Sequence, residues 1–401
     1  MVSWCLKKRG LRPIGLDIGH SSIKMIQLLI ENGRTSVIAA DETRFETKTN
    51  GDERARRSTI VSAIKRMIAK GNFHGKDVIS CLPSGKLKIT SIRLAESDTE
   101  SIERSLRKEA AQRFGLDPEK DAMDYLVAGC VRQGDEVKNE LILFATDSVT
   151  IKDHIEMLEE AGLRPVAIDP IPCALFRSFG RSLRRQEDRE RTVVFVDVGS
   201  HFTTVVFGRG REISLVKQIQ IGGERFTQQI AEKLGVSISE AETLRESLRI
   251  RKRTLPSKSN TAESQEVEEE QEIDASTRNI IVDVASSVAE DLAREISLCL
   301  RYYTVTFRGA RVERALFAGG GAYEDILIDV LRRQLVVEIE VAEPLRGFDL
   351  SGQGMNLNFR SDRRGVLCEW AIAVGLSLKG WNGVENANYP IRSESRDYER
   401  N

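Results

Sequence analysis

Two short segments carry the residue types needed to hold a chain of phosphates. The first reads Asp17-Ile18-Gly19-His20-Ser21-Ser22-Ile23-Lys24 and the second Asp197-Val198-Gly199-Ser200-His201-Phe202-Thr203-Thr204. In a site of this type glycine lets the backbone approach the ligand, and amide N–H groups with Ser or Thr hydroxyls donate to phosphate oxygens. The aspartate faces a magnesium ion. On this reading Gly19, Ser21, Ser22 and Lys24 serve the first turn, Gly199, Ser200 and Thr203 the second, and Asp17 and Asp197 the metal. Asp, Gly and Ser are also the residues of an ordinary hairpin turn. Two copies about 180 residues apart, each between two β-branched apolar runs, favour the phosphate reading.

A third segment, Leu316-Phe317-Ala318-Gly319-Gly320-Gly321-Ala322, places three glycines after an apolar strand. Gly319, Gly320 and Gly321 would let a flat ligand such as a purine and its sugar-phosphate lie against bare backbone. A flexible strand-to-helix connection is the plainer alternative. In a fourth segment Gly222 and Gly223 follow Ile221 and open an amphipathic helix with Phe226, Ile230 and Leu234 inward. That pair serves a ligand or only a helix cap.

The positioning elements follow from periodicity. Ile14 to Ile30 reads as strand, tight turn, strand, and Thr192 onward repeats the pattern. Ile60, Ile64 and Met67 mark a helix stripe closed by Gly71, ahead of a strand at Val78 to Leu82. Between about Ser84 and Arg164 the pattern becomes a small α+β unit. Its strands lie near 87–94, 125–131 and 141–146, with a helix striped by Ile102, Leu106, Ala110 and Phe114 and a second helix from Ser148 to Ala161. Helical spacing returns from Ile280 to Tyr303, and 251–274 is a polar, acidic stretch that reads as a mobile loop. The expected divisions are 1–83 and 165–190 for a first lobe, 84–164 for an insert, 191–380 for a second lobe and 381–401 for a polar tail.

Bulk properties narrow the function. At 401 residues more than one core is expected. With 60 basic and 61 acidic residues the formal net charge is -1, so no global field holds a polyanion and nucleic acid is not an expected partner. The six cysteines, Cys5, Cys81, Cys130, Cys173, Cys299 and Cys368, form no metal-ligand spacing and read as reduced, buried thiols of a cytoplasmic protein. No window has the length and apolarity of a membrane span, so direct membrane insertion is not expected.

These motifs, in this order, resemble the actin, chaperone and sugar-kinase superfamily. The resemblance implies an α/β, two-lobed actin-like (ribonuclease H-like duplicated) ATPase fold with an inserted small α+β subdomain, closing over ATP and Mg2+. Asp169, in the segment between the lobes, stands where chaperone relatives carry an acidic residue near the γ-phosphate. The stretch from Ile221 to Arg245 resembles the bacterial FtsA/PilM branch more specifically. Its Ala241-Glu242-Thr243-Leu244-Arg245 matches a motif that offers Glu242 to the ribose and, with Arg245 in place of the usual lysine, a cation near the base. His20 departs from the small residues common in the first turn. The run from Glu295 to Ala322 resembles the PilM family of type IV pilus assembly, and the polar tail lacks the membrane-binding helix of FtsA proteins.

The resemblance implies a cytoplasmic ATP-binding adaptor with at most weak ATPase activity. A PilN-type inner-membrane pilus protein would dock by its N-terminal peptide at the insert and first lobe, with self-association possible. An FtsA-like filament-forming division scaffold and a small-molecule kinase are the rival readings.

Overall fold

A computed structural model describes residues 10–45, 53–95, 99–133, 136–180, 191–251, 273–307, 311–351 and 366–379. The first half runs β1 (Ile14–Ile18), β2 (Ser22–Glu31), β3 (Arg34–Arg44), α1 (Glu53–Lys70), β4 (Asp77–Ser80), β5 (Lys88–Ala95) and α2 (Thr99–Phe114). It continues through β6 (Ala122–Gln133), β7 (Glu136–Thr146), α3 (Ser148–Glu160), β8 (Arg164–Ile168) and α4 (Ile171–Phe179). The second half runs β9 (Thr192–Val198), β10 (Thr203–Arg209), β11 (Glu212–Ile219), α5 (Gly223–Leu234), α6 (Ile238–Arg251) and α7 (Ala275–Thr306). It ends with β12 (Val312–Ala318), a 3-10 turn at Gly320–Tyr323, α8 (Asp325–Gln334), β13 (Glu338–Val341) and α9 (Ala371–Ser377).

The two halves repeat one plan. The first sheet has the order β3-β2-β1-β4-β8 and the second β11-β10-β9-β12-β13. In each, an antiparallel three-strand meander is extended by two parallel strands. Both faces of the inner strands are covered, which is why β1 and β9 read as continuous apolar runs rather than alternating ones. The expected helix stripe holds: Ile60, Ile64 and Met67 of α1 pack on Ile14, Leu16 and Ile23, and Gly71 N–H donates to Met67 O at 2.8 Å at the helix end.

The third sheet, β5-β7-β6, is antiparallel. One face is covered by Ile102, Leu106 and Ala110 of α2, and Gly115 at φ +68° ends that helix region. The opposite face, with Leu126, Ala128, Ile142 and Phe144, shares a core with Ile213 and Val216 of β11 and with Ile171 and Phe176 of α4, and β5 and β6 lie beside β11. The insert is therefore seated on the central core. The helix that the sequence pattern groups with the insert belongs elsewhere: Met157 and Leu158 of α3 pack with α1 and β1 in the first lobe. That helix follows β7 without a break in the chain, so sequence order alone groups it with the insert.

The last helix of each half is exchanged. α4 lies on β9, β10 and β11, where Phe176 and Phe179 meet the Phe195 ring at 5.7 and 5.5 Å. α9 lies on β1, β2 and β4, with Ala373, Val374 and Leu378 against Ile26, Leu28 and Val37. It falls inside the span assigned to the second lobe by sequence, yet it completes the first. Burying an aromatic or aliphatic side chain of this kind contributes about 1.5–3 kcal/mol. α4 and α9 also cross each other so closely that a Cβ on Gly375 would sit 1.8 Å from the Ala174 carbonyl oxygen.

Other expectations shift in detail. α7 starts ahead of Ile280 because Asp274 caps it, accepting from Thr277 N–H at 2.9 Å. Most of the 251–274 loop and the whole 381–401 tail lie outside the described residues. Cys81, Cys173, Cys299 and Cys368 are buried thiols outside any disulfide, but Cys130 is exposed on the insert, and Cys5 lies outside the described residues. Among the described residues no helix is long and apolar enough to cross a membrane.

Candidate functional site

The two aspartate turns are built alike. Gly19 N–H donates to Ser22 O at 2.9 Å and Gly199 N–H to Phe202 O at 3.0 Å. A Cβ on either glycine would meet that same carbonyl at 3.0 Å. A side chain at either position would thus press on the carbonyl that closes its hairpin. Asp17 faces Lys24 across the β1–β2 ladder, and the buried Lys24 Nζ donates to Ser22 Oγ at 2.8 Å. Asp197 faces Thr204 in the matching register of β9 and β10.

The two aspartates share one electrostatic environment. Burial, with the Asp17 carboxylate adding to it and Lys24 opposing it, pushes Asp197 up to about 7. Burial also raises Asp17, with Lys24 opposing and Glu42 adding. Cys81 Sγ lies 4.0 Å from Asp17 Oδ1, and its thiol is pushed well up by burial and then by Asp17, Asp169 and Asp197. Paired oxygen donors short of positive charge are what a hard divalent cation such as Mg2+ takes.

The triple glycine abuts the second turn. Gly319 adopts φ +81°, and a Cβ there would sit 2.6 Å from Asp197 Oδ1 and from Val198 O. A Cβ on Gly321 would lie 2.3 Å from Val198 Cγ1, whereas Gly320 faces open space. The outer two glycines permit the close approach, and the middle one has open space beside it.

Gly222 and Gly223 do more than cap α5. Gly223 N–H donates to Gly199 O at 2.9 Å and Glu224 N–H to Ser200 O at 2.8 Å, which fastens the start of α5 to the second turn. A Cβ on Gly222 would strike Ser200 O at 2.3 Å. Arg245, on α6, joins three motifs: its guanidinium donates to Gly223 O at 2.6 Å and Thr227 Oγ1 at 2.9 Å, and pairs with Glu324 at 2.6 Å just after the triple glycine. It also lies over the Phe226 ring at 5.0 Å. Glu242, one turn earlier on α6, is exposed.

Some proposed ligand donors are already employed. The buried Thr203 hydroxyl donates to Ile221 O at 2.7 Å, tying β10 to the start of α5. Ser21 is exposed, and its carbonyl accepts from Phe45 N–H at 2.9 Å. Asp169 is almost wholly buried and holds two cations, Arg177 at 2.7 Å and Lys379 at 2.5 Å. Burial pushes its pKa up, but Arg177 and Lys379 outweigh that and hold the carboxyl below its usual value. Both oxygens are thus engaged in a tie between α4 and the end of α9. A carboxylate so occupied is poorly placed to take a proton from water.

Two participants escaped the sequence. Glu324 carries no motif of its own and is recognised only through Arg245. Arg56 of α1 donates to His20 O and Gly19 O, each at 3.1 Å, and so braces the first turn from outside.

A family model described as type IV pilus assembly protein PilM matches residues 15–381. The chain belongs to the type IV pilus assembly PilM family. Among solved structures, the PilM-PilN type IV pilus biogenesis complex superposes with a TM-score of 0.71 at 20% identity, covering 92% of this chain and 98% of that one. The ethanolamine utilization protein EutJ from Carboxydothermus hydrogenoformans gives 0.52 at 14% identity, over 92% and 90% of the two chains. These likenesses and the repeated sheets identify the fold as the two-lobed actin-like one. The cell division protein FtsA of Streptococcus pneumoniae is 23% identical over 257 residues, 58% of this chain and 54% of its own. The chain thus spans about half the length of that curated relative. The inserted sheet, the exchanged helices and the paired turns therefore belong to a PilM-family member.

Proposed function

We propose that this PilM-family protein binds ATP with Mg2+ between its lobes and serves as a cytoplasmic adaptor in type IV pilus assembly. The observation that carries the nucleotide reading is the convergence of two identically built turns, Asp17 with Asp197, with Gly319 packed against the second. Asp17 and Asp197 would hold the metal, and Gly19, Ser22, Lys24, Gly199 and Ser200 would face the phosphates. Gly320 and the Arg245–Glu324 region would frame the nucleoside, with Glu242 at the ribose. Turnover is at most weak, since Asp169 is engaged by two cations.

The adaptor partner is the N-terminal cytoplasmic peptide of a PilN-type inner-membrane protein, received where the insert meets the first lobe. Two sheet edges support this: β6, part of which lies beside β11, ends the inserted sheet, and β8 ends the first sheet. An extended peptide adds to such an edge through main-chain hydrogen bonds. Val127 on β6 and Val166 on β8 are 45% and 49% exposed, so each is available for contact.

Calorimetry with Mg-ATP and with a synthetic PilN-type N-terminal peptide tests both halves of the proposal. Val166→Asp and Val127→Asp are expected to weaken peptide binding at least tenfold while Mg-ATP binding is kept. Unchanged peptide affinity in both variants would move the partner groove elsewhere. Filaments on lipid without any partner would favour the FtsA-like reading, and absence of heat or thermal shift with millimolar Mg-ATP would end the nucleotide reading.

A further inference from the structure

The two phosphate turns touch through residues that a phosphate site does not require. His20, from the first turn, and His201, from the second, come from lobes 181 residues apart in sequence. Their Nδ1 and Nε2 atoms lie 2.9 Å apart, with the rings edge-on at 4.1 Å between centroids. On its other side His201 presents Nδ1 to the Glu224 carboxylate. One ligand atom from each of His20, His201 and Glu224 falls within 4.8 Å of the others.

The backbones beneath these side chains are fixed. Arg56 holds the carbonyls of Gly19 and His20, and Glu224 N–H is bonded to Ser200 O at 2.8 Å. With Glu224 accepting from Nδ1, His201 turns its Nε2 lone pair toward His20, the arrangement by which an outer carboxylate orients a metal-bound imidazole. Two imidazole nitrogens bound to one tetrahedral ion at about 2.0–2.1 Å stand roughly 3.3 Å apart. The observed 2.9 Å is a few tenths short of that, within the reach of small side-chain rotations. His201 is exposed, so water can complete the coordination shell.

We propose that His20 and His201, with Glu224 orienting His201 from behind, form a site for a borderline divalent transition metal, of the Zn2+, Co2+ or Ni2+ class, that clasps the two lobes where the two turns meet. Nitrogen donors set it apart from the oxygen-lined pair Asp17 and Asp197, because Mg2+ prefers oxygen and imidazole suits the transition metals. Burial first, then His201 and Arg56, lower the His20 pKa against a smaller opposing effect of Glu224. The inference does not depend on nucleotide binding.

The test uses the full chain without an affinity tag, stripped with chelator and free of nucleotide. It is titrated with Co2+ by visible spectroscopy and with Zn2+ by calorimetry. One ion per chain is expected, unaffected by excess Mg2+, with His20→Ala and His201→Ala each weakening binding about 100-fold and Glu224→Gln about tenfold. Cys130→Ser, which removes the exposed thiol, should leave binding unchanged. Thermal unfolding without metal should match the parent in every variant, and Zn2+ should raise the midpoint only where both histidines remain. No stoichiometric binding, binding that survives both histidine substitutions, or binding lost in Cys130→Ser would overturn the proposal.

Discussion

Asp169 Oδ1 lies 2.5 Å from Lys379 Nζ, joining the residue just ahead of α4 to the one just past α9. Arg177 takes the other carboxylate oxygen and also donates to Gly375 O at 2.9 Å. Removing one member of a buried ion group leaves the others uncompensated, at a cost of about 3–5 kcal/mol. Asp169→Asn is therefore expected to lower stability by about 3 kcal/mol in chemical denaturation, with phosphate release remaining slow. Brisk ATP turnover in the parent, abolished without any change in stability by Asp169→Asn, would restore a catalytic role.

The raised Asp197 pKa links metal, proton and stability. Its folded value of about 7 exceeds the ordinary 3.8, so the folded protein holds a proton there that the unfolded chain releases between those values. This group's contribution to stability is present below pH 3.8 and is lost as pH rises toward and through 7. Asp197→Asn should stabilise the nucleotide-free protein at pH 8 by on the order of 2 kcal/mol. The same variant should lose magnesium-dependent ATP binding. If Mg2+ binds at Asp197 as proposed, it must displace that proton, and affinity should climb about tenfold per pH unit below 7 and level off above it.

His154 titrates with the opposite consequence. It is buried on α3, its Nε2 2.8 Å from Ser80 Oγ, and burial lowers its pKa from 6.5 to about 4. Its contribution is complete above pH 6.5 and is lost as pH falls through 4, a loss of about 3 kcal/mol. His154→Gln should flatten the stability profile between pH 6.5 and 4 while leaving the neutral-pH value within about 2 kcal/mol of the parent. An unchanged acid limb would show that another group sets it.

Gly375 fixes the crossing of α4 and α9. With the Ala174 carbonyl 1.8 Å from where a Cβ would stand, Gly375→Ala must push two backbones apart. Overpacking of this kind costs about 1–3 kcal/mol, and more where main chain rather than side chain has to yield. Gly180→Ala is the control, since its nearest neighbour would be Phe176 O at 3.5 Å, an ordinary contact. Thermal melts should show a large fall for the first and little change for the second.

The sequence made the local features legible and hid the ones made by folding. Asp17 with Gly19 and Asp197 with Gly199 announce hairpin turns because the glycine and the flanking β-branched runs are neighbours in the chain. The Ile102, Leu106 and Ala110 stripe announces α2 for the same reason. Nothing local distinguishes a Thr203 hydroxyl that meets phosphate from one that meets Ile221 O, or an Asp169 that orients water from one that holds Lys379. α9 is a short apolar run whose partners on β2 and β3 lie more than 300 residues earlier in the sequence. The contact of His20 with His201 likewise exists only after both sheets are built.

The exchanged helices set an order on the making of this protein. During synthesis β1, β2 and β4 leave the ribosome long before α9, which covers them, so Ile26, Leu28 and Val37 wait for a lid encoded at 371–377. α4 is made early, but the sheet it lies on, β9, β10 and β11, follows it. Neither half is a finished unit while nascent, although domains generally fold as they emerge. Halves expressed apart would each present a sheet lacking its cover and a helix lacking its sheet.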